Sequence, residues 1–187
     1  MAACPHDARK ISGTEATVDE IFAEVVPDKP FYDASGGGVT FSGGECMLQP
    51  ELLLDCLVRS KTEGLHTAVD TAGAVPWEAF EAVLPYTDLV LYDIKAIDPA
   101  LHKKCTGVEN ELILSNYARL LEYGARIWVR VPVITGCNDG TEQERIRDYL
   151  AAHPPERIDY LPEHRLGEGK RDALADANAP GCMDKSG

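Results

Sequence analysis

The sequence predicts an α/β fold built on a mostly parallel sheet, and three observations predict it. Short runs rich in β-branched and aromatic residues recur, at Val39-Thr40-Phe41, Thr67-Ala68-Val69, Asp88 to Tyr92, Arg126 to Ile134 and Ile158 to Leu161. Between them lie stretches whose apolar residues repeat at helical spacing. Strand then helix, repeated, returns the chain to the same edge each time, so neighbouring strands run parallel.

The elements follow in order. Thr17-Val-Asp-Glu20 is a capping box, with Glu three residues after Thr. Val18, Ile21, Phe22, Val25 and Val26 keep helical spacing until Pro27 ends the helix. Pro50 suits the first turn of a second helix, which carries Leu53, Leu57 and Val58 inward and stops near Gly64. Pro76 starts a third helix through Trp77, Phe80 and Leu84. A further helical stretch runs from near Leu112 to Tyr123 and ends at Gly124. Thr141-Glu-Gln-Glu144 reads as a second capping box, opening a helix with Ile146, Tyr149 and Leu150. From Arg165 onward periodicity fades, and the last residues read as a flexible tail.

The strand ends carry the polar residues that matter. Gly43-Gly44-Glu45, Asp70-Thr71, Asp93 with Lys95, and His164 each fall just past a strand's C-terminal end. In a parallel sheet or barrel those ends share one rim, where ligand sites form. Asp93 and Lys95 are two residues apart, so in an extended segment they point the same way. Arg130 lies in a strand between Val129 and Val131, and a buried arginine needs an anion.

Composition narrows the class. The chain has 187 residues, 44% hydrophobic and 26% charged, which suits one globular domain with a sizeable core. A net charge of −13 repels phosphate backbones and anionic lipid, so neither nucleic acid nor a membrane surface is expected as a partner. No apolar run approaches membrane-spanning length and no signal-peptide core is present, so a cytoplasmic location is expected. The six cysteines, Cys4, Cys46, Cys56, Cys105, Cys137 and Cys182, are widely scattered, and most, Cys4 excepted, are expected to be reduced thiols.

One stretch organises the rest. Ser35-Gly-Gly-Gly-Val-Thr-Phe-Ser-Gly-Gly-Glu45 holds five glycines in eleven residues and closes on a carboxylate. Adjacent glycines let the backbone approach a ligand and offer it bare N–H and C=O groups. This stretch, with Met47-Leu-Gln-Pro-Glu51 after it, resembles the activating enzymes of glycyl-radical enzymes. These are radical S-adenosylmethionine (SAM) proteins. The resemblance continues through His66-Thr-Ala-Val-Asp-Thr-Ala-Gly73, Asp88-Leu-Val-Leu-Tyr-Asp-Ile-Lys95 and Thr106-Gly-Val108. It runs on through Arg130-Val-Pro-Val-Ile-Thr-Gly-Cys-Asn-Asp139 and Leu161-Pro-Glu-His-Arg-Leu-Gly167.

The resemblance implies a partial open (β/α) barrel of the radical SAM type. Five strands are too few for a closed barrel of eight. It also implies a [4Fe-4S] cluster held by a Cys-x3-Cys-x2-Cys loop, a spacing that this sequence does not contain. The expectation is therefore a chain that begins after the cluster loop and is inactive alone. Residues 1–15 would be the remnant of a ferredoxin-like cluster insert, 16–169 the partial barrel and 170–187 the tail. Cys4, followed by Pro5 as at the end of a ferredoxin-type run, would be a ligand of an accessory iron–sulfur cluster.

By the same resemblance, Gly43, Gly44 and Glu45 receive the methionyl amine of SAM. Asp93, Ile94 and Lys95 line the site, with Lys95 on the carboxylate and Asp93 on a ribose hydroxyl. Arg130 is a second candidate for the carboxylate, with a structural ion pair nearly as good a reading, and His164 lies beside SAM. Asp70, Thr71 and Asp93 would form a monovalent cation site. The implied reaction is reductive cleavage of SAM to a radical that takes hydrogen from a glycine of a partner such as pyruvate formate-lyase. Flavodoxin or ferredoxin would supply the electron. Two other readings stay open: a barrel aldolase with Lys95 as Schiff-base nucleophile, and a non-catalytic SAM-binding or partner-docking module.

Overall fold

A computed structural model describes residues 15–162. Cys4, His164, Cys182, nearly all of the expected 1–15 remnant and the expected tail lie outside the described residues. The described chain alternates as the sequence predicts. Helix α1 (Val18–Val25) and α2 (Lys29–Ser35) precede strand β1 (Gly38–Phe41). Then come α3 (Pro50–Thr62), β2 (His66–Thr71), α4 (Trp77–Val83) and β3 (Leu89–Asp93). Helices α5 (Pro99–Thr106) and α6 (Glu111–Tyr123), β4 (Ile127–Val133), α7 (Thr141–Ala152) and β5 (Arg157–Pro162) complete it. The five strands form one sheet in the order β1-β2-β3-β4-β5, every neighbouring pair parallel.

Strand order equals chain order, so every crossover steps the same way and the helices gather on one face. That face buries Val69, Val90, Tyr92, Val129 and Val131 against Leu57, Phe80, Tyr117, Leu120 and Ile146. A smaller apolar cluster joins Phe22 of α1 to Cys56 and Leu65. The opposite face alternates in register with the core residues; it buries Ala68 and Leu89 near the strand starts and is half-buried at Asp70, Leu91, Asp93, Trp128 and Arg130. On it Trp128 is covered by the Arg157 guanidinium at 4.8 Å.

Local chemistry explains the starts and stops. The first capping box forms: the Glu20 carboxylate accepts from Thr17 N at 2.7 Å, and Glu20 N donates to Thr17 Oγ1. The second does not. Helix α7 has Gly140 at its N-cap with no side-chain cap bond. Val58 also departs from expectation, lying 39% exposed on the outer side of α3. Two short helices carry no periodic signal. Helix α2 buries none of its residues, and α5 buries only His102. Cys105 and Cys137, expected as thiols, are joined as a disulfide between α5 and the loop after β4. The folded chain brings their Cα atoms to 6.5 Å across a sequence separation of 32, which spacing alone does not reveal.

Candidate functional site

The rim at the C-terminal ends of β1, β2, β3 and β4 gathers charged groups from separate segments. Asp93 and Arg130 are register partners on β3 and β4. Arg130 Nε donates to Asp93 Oδ1 at 3.0 Å, and Nη2 donates to the same oxygen at 2.8 Å. Arg130 Nη1 donates to Asp70 Oδ2 at 3.0 Å, and Nη2 donates to Asp70 Oδ1. Ser42, just beyond β1, donates to Asp70 Oδ2 at 2.8 Å, and Lys95 Nζ donates to Asp93 Oδ2 at 3.2 Å. The result is a ladder across four strands, Ser42–Asp70–Arg130–Asp93–Lys95. Burial works against the guanidinium charge, but the Asp93 and Asp70 carboxylates outweigh it and hold Arg130 above its ordinary pKa.

This geometry changes how several expected residues must act. Arg130 meets two carboxylates with all three of its nitrogens, so its anions come from the protein, the ion-pair alternative raised by the sequence. The guanidinium stands between Asp70 and Asp93, the carboxylates expected to flank a monovalent cation, and itself supplies the positive charge between them. Thr71 turns to the other side of β2. It is 2% exposed, and its hydroxyl donates to Glu45 Oε2 at 3.0 Å. Asp70 and Thr71 therefore point to opposite faces, as strand neighbours do. Ile94 follows the same rule. Asp93 and Lys95 face the open side, so the Ile94 side chain enters the core and is 1% exposed. Only its backbone reaches the rim, where Ile94 N donates to Arg130 O at 3.0 Å and prolongs the β3–β4 pairing.

Glu45 is held by the chain itself. Its carboxylate accepts from Met47 N at 3.2 Å, Thr71 Oγ1 at 3.0 Å and Ala72 N at 3.0 Å. Two of these donors, Thr71 Oγ1 and Ala72 N, pin the end of the glycine turn to the end of β2. The glycines are different. Gly43 has φ of 124°, which L side chains rarely adopt, and a Cβ added at Gly43 or Gly44 would meet nothing within 4 Å. For Gly44, whose φ is not in the left-handed region, the chain's own packing supplies no reason for a missing side chain. The space over the turn is open, and the turn presents bare backbone to it. Cys46, next in sequence, shares its S–H between Phe41 O and Asp70 O, each at 3.4 Å. Burial, with the Glu45 and Asp70 carboxylates, pushes its thiol up to about 11.

Sequence reasoning passed over three buried polar residues beneath the rim. Asn138 donates to Lys95 O and Pro132 O, each at 2.7 Å, and accepts from Ile134 N at 2.7 Å. Glu142 accepts from Ile97 N at 2.6 Å and Asp98 N at 2.9 Å. Asn110 donates to Ala96 O and Ile97 O. Asn138 and Glu142 lay within or beside sequence words already singled out, but their contacts span more than forty residues. A recess of about 470 Å³ beside Asp98, Cys137 and Arg145 shares none of the rim carboxylates. The side chains of Asp70, Asp93 and Arg130 remain 16%, 19% and 25% exposed on the rim.

Chemically, the rim offers free backbone at Gly43–Gly44, a cation at Lys95 and an ordered carboxylate at Asp93. That set suits a ligand with an amine, a carboxylate and hydroxyls. It does not suit an iron–sulfur cluster. Among the described residues no three His, Cys, Asp or Glu side chains group to hold a metal ion.

Comparison with known proteins agrees with the fold and with the rim's sequence. Residues 3–149 match the Radical SAM superfamily. The choline trimethylamine-lyase activating enzyme of Oleidesulfovibrio alaskensis is 41% identical over 171 residues, covering 89% of this chain and 55% of that protein. The pyruvate formate-lyase-activating enzyme of Clostridium pasteurianum is 38% identical over 165 residues, covering 87% of this chain and 68% of that protein. A crystal structure of a domain of pyruvate-formate lyase-activating enzyme from Bacteroides vulgatus superposes with a TM-score of 0.64 at 37% identity. That match covers 74% of this chain and 91% of the other. The chain spans about half the length of several of the curated relatives it matches. Family match, sequence relatives and parallel fold converge: the chain belongs to the radical SAM superfamily, among the activating enzymes of glycyl-radical enzymes.

Proposed function

We propose that this chain supplies the SAM-binding rim of an activating enzyme that cleaves SAM reductively and installs a glycyl radical on a partner enzyme. One observation carries the reading. The open Gly43–Gly44 backbone and the Asp93–Lys95 pair sit at ends of strands in one parallel sheet, with a spine of ion pairs between them. Carbonyls of the glycine turn would receive the methionyl amine, Lys95 the carboxylate and Asp93 a ribose hydroxyl. Glu45 and Arg130 act one step back: Glu45 pins the turn to β2, and Arg130 fixes the Asp93 and Asp70 carboxylates. His164 is retained in the proposal as a residue beside SAM on the family resemblance alone, and so is Cys4 as an accessory-cluster ligand.

When bound, the [4Fe-4S] cluster of such an enzyme supplies the electron for cleavage. The described residues hold no ligand set for it, and no step is assigned to them through it. They bind and orient SAM. The partner is proposed as a glycyl-radical enzyme, of which pyruvate formate-lyase is one instance, with a small carrier such as flavodoxin or ferredoxin as electron donor. Among the described residues no helix is long and apolar enough to cross a membrane.

The test is SAM binding to a cluster-loaded enzyme carrying this chain. Lys95→Ala is expected to weaken binding at least tenfold, ~1.4 kcal/mol, because the SAM carboxylate loses its cation. Unchanged affinity would sink the assignment. Borohydride trapping of a carbonyl substrate on Lys95 would instead favour the aldolase reading.

A further inference from the structure

The segment that carries Lys95 leaves β3 and runs to α5 without regular structure. Beyond the Ile94 N bond to Arg130 O no ladder holds it, so side chains must satisfy and fix its backbone. At Lys95 itself that partner is Asn138. It is 1% exposed and lies in the loop after β4. Its amide bridges Lys95 O and Pro132 O, and its carbonyl oxygen caps Ile134 N. One side chain thus ties the end of β4, the loop after it and the backbone of Lys95 into one unit.

We propose that Asn138 is a positioning residue for the SAM site: it sets where Lys95 presents its ammonium, without touching the ligand. The inference rests on the SAM reading of the rim for its functional part, but its structural part is independent. The ammonium sits four methylenes from the backbone, and its side chain is about one-third exposed. The anchors are Asp93 at the tip and Asn138 at the root. Without Asn138, the part-buried carbonyls of Lys95 and Pro132 lose the donor they share, and the backbone shifts to find another.

Asn116 is a natural control. It is also 1% exposed, and its amide also bridges two carbonyls, Gly73 O at 2.9 Å and Val75 O at 2.8 Å. The two residues share burial and bonding, but only Asn138 holds Lys95. Asn138→Asp keeps the acceptor for Ile134 N and removes the donors to Lys95 O and Pro132 O. Asn116→Asp removes donors of the same kind elsewhere.

The experiment acylates lysines of the folded protein and reads each site by mass spectrometry, with Lys29 and Lys103 as internal references. SAM affinity of the cluster-loaded enzyme is measured in parallel. Asn138→Asp is expected to raise Lys95 labelling about threefold or more over the references and to weaken SAM binding about tenfold. Asn116→Asp is expected to lower the melting temperature comparably and to change neither. Asn138→Ser, smaller and uncharged, gives the same reading if the carboxylate prevents folding. Equal Lys95 labelling in the two Asp variants would overturn the proposal, because it would reduce Asn138 to general stability. A loosened Lys95 with unchanged SAM affinity would overturn the functional half, whereas failure of Lys95→Ala to weaken SAM binding would fail the rim reading itself.

Discussion

The two faces of the sheet are made by the same five strands and differ completely in what they hold. On the helix side, Tyr92 and Val129 are fully buried among aromatic and aliphatic neighbours. On the other side, one residue along in each strand, Asp93 and Arg130 form a half-buried ion-pair ladder with Asp70. Burial of apolar area drives folding, and the closed face supplies it. The open face contributes less to stability, because charge pairs lose in desolvation much of what they gain in attraction. The comparison teaches a division of labour. Residue parity along a strand decides whether a side chain holds the fold or serves the site, and Ile94 shows the rule by entering the core between two rim residues.

The strongest way to break this comparison is to truncate one residue on each face. Tyr92→Ala removes a ring packed against Tyr117 at 5.6 Å and a hydroxyl donating to Ile113 O at 2.6 Å. It is expected to cost about 4 kcal/mol of folding stability, as large-to-small changes of buried aromatics do. Leu91→Ala, its neighbour on the open face, is expected to cost under ~1.5 kcal/mol. Denaturant unfolding of both variants reads the difference. Similar losses would mean that the open face is covered in solution and that the division is false.

A glycine change sharpens the same comparison from the functional side. Gly44→Ala adds a methyl group that meets none of the chain's own atoms within 4 Å, at a backbone conformation that does not require glycine. Stability should stay within ~0.5 kcal/mol of the parent. The methyl group would stand in the space assigned to SAM, so affinity in the cluster-loaded enzyme should fall about a hundredfold, ~2.7 kcal/mol. Loss of stability with intact binding would reverse the assignment and make Gly44 a folding residue.

The legible parts of this molecule are those encoded by local pattern. The five strands announce themselves through β-branched runs, and alternation places Asp93 and Lys95 on one side. Helices α2 and α5 were missed because a periodic apolar stripe is the signal for a helix. A seven-residue helix with nothing buried has no stripe, and neither has an eight-residue helix burying only His102. Helix α5 did carry a different signal, Asp98 before Pro99, whose carboxylate accepts from Leu101 N. The contacts of Arg130 were hidden for another reason. Its partners are 37 and 60 residues away, and no spacing rule reaches that far. The second capping box failed for a local reason: Thr141 is already the first helical residue, with Gly140 at the N-cap, so its hydroxyl is not placed to cap the helix.

Cys46 lies where the two faces meet, and it gives the smallest and most local test. It packs beside the core, while its S–H reaches backbone oxygens of Phe41 and Asp70. Its thiol pKa rises from 9.0 to about 11 in the folded chain, with burial the largest cause and the two carboxylates adding to it. The folded state therefore keeps a proton that the unfolded state loses above about pH 9. The contribution is fully present below pH 9 and is lost as pH rises from 9 to about 11. Partial exposure screens the effect, so the expected loss is about 1 kcal/mol over that window. The parent minus Cys46→Ala difference in unfolding free energy isolates it from the tyrosines and lysines that titrate nearby. Alkylation by iodoacetamide should be slow at pH 8 and accelerate roughly tenfold per pH unit up to about 11, because the thiolate is the reactive form. Fast labelling at pH 8 would mean that the junction is wetter than its geometry shows, and that the open face extends further under the glycine turn than the ladder of ion pairs marks.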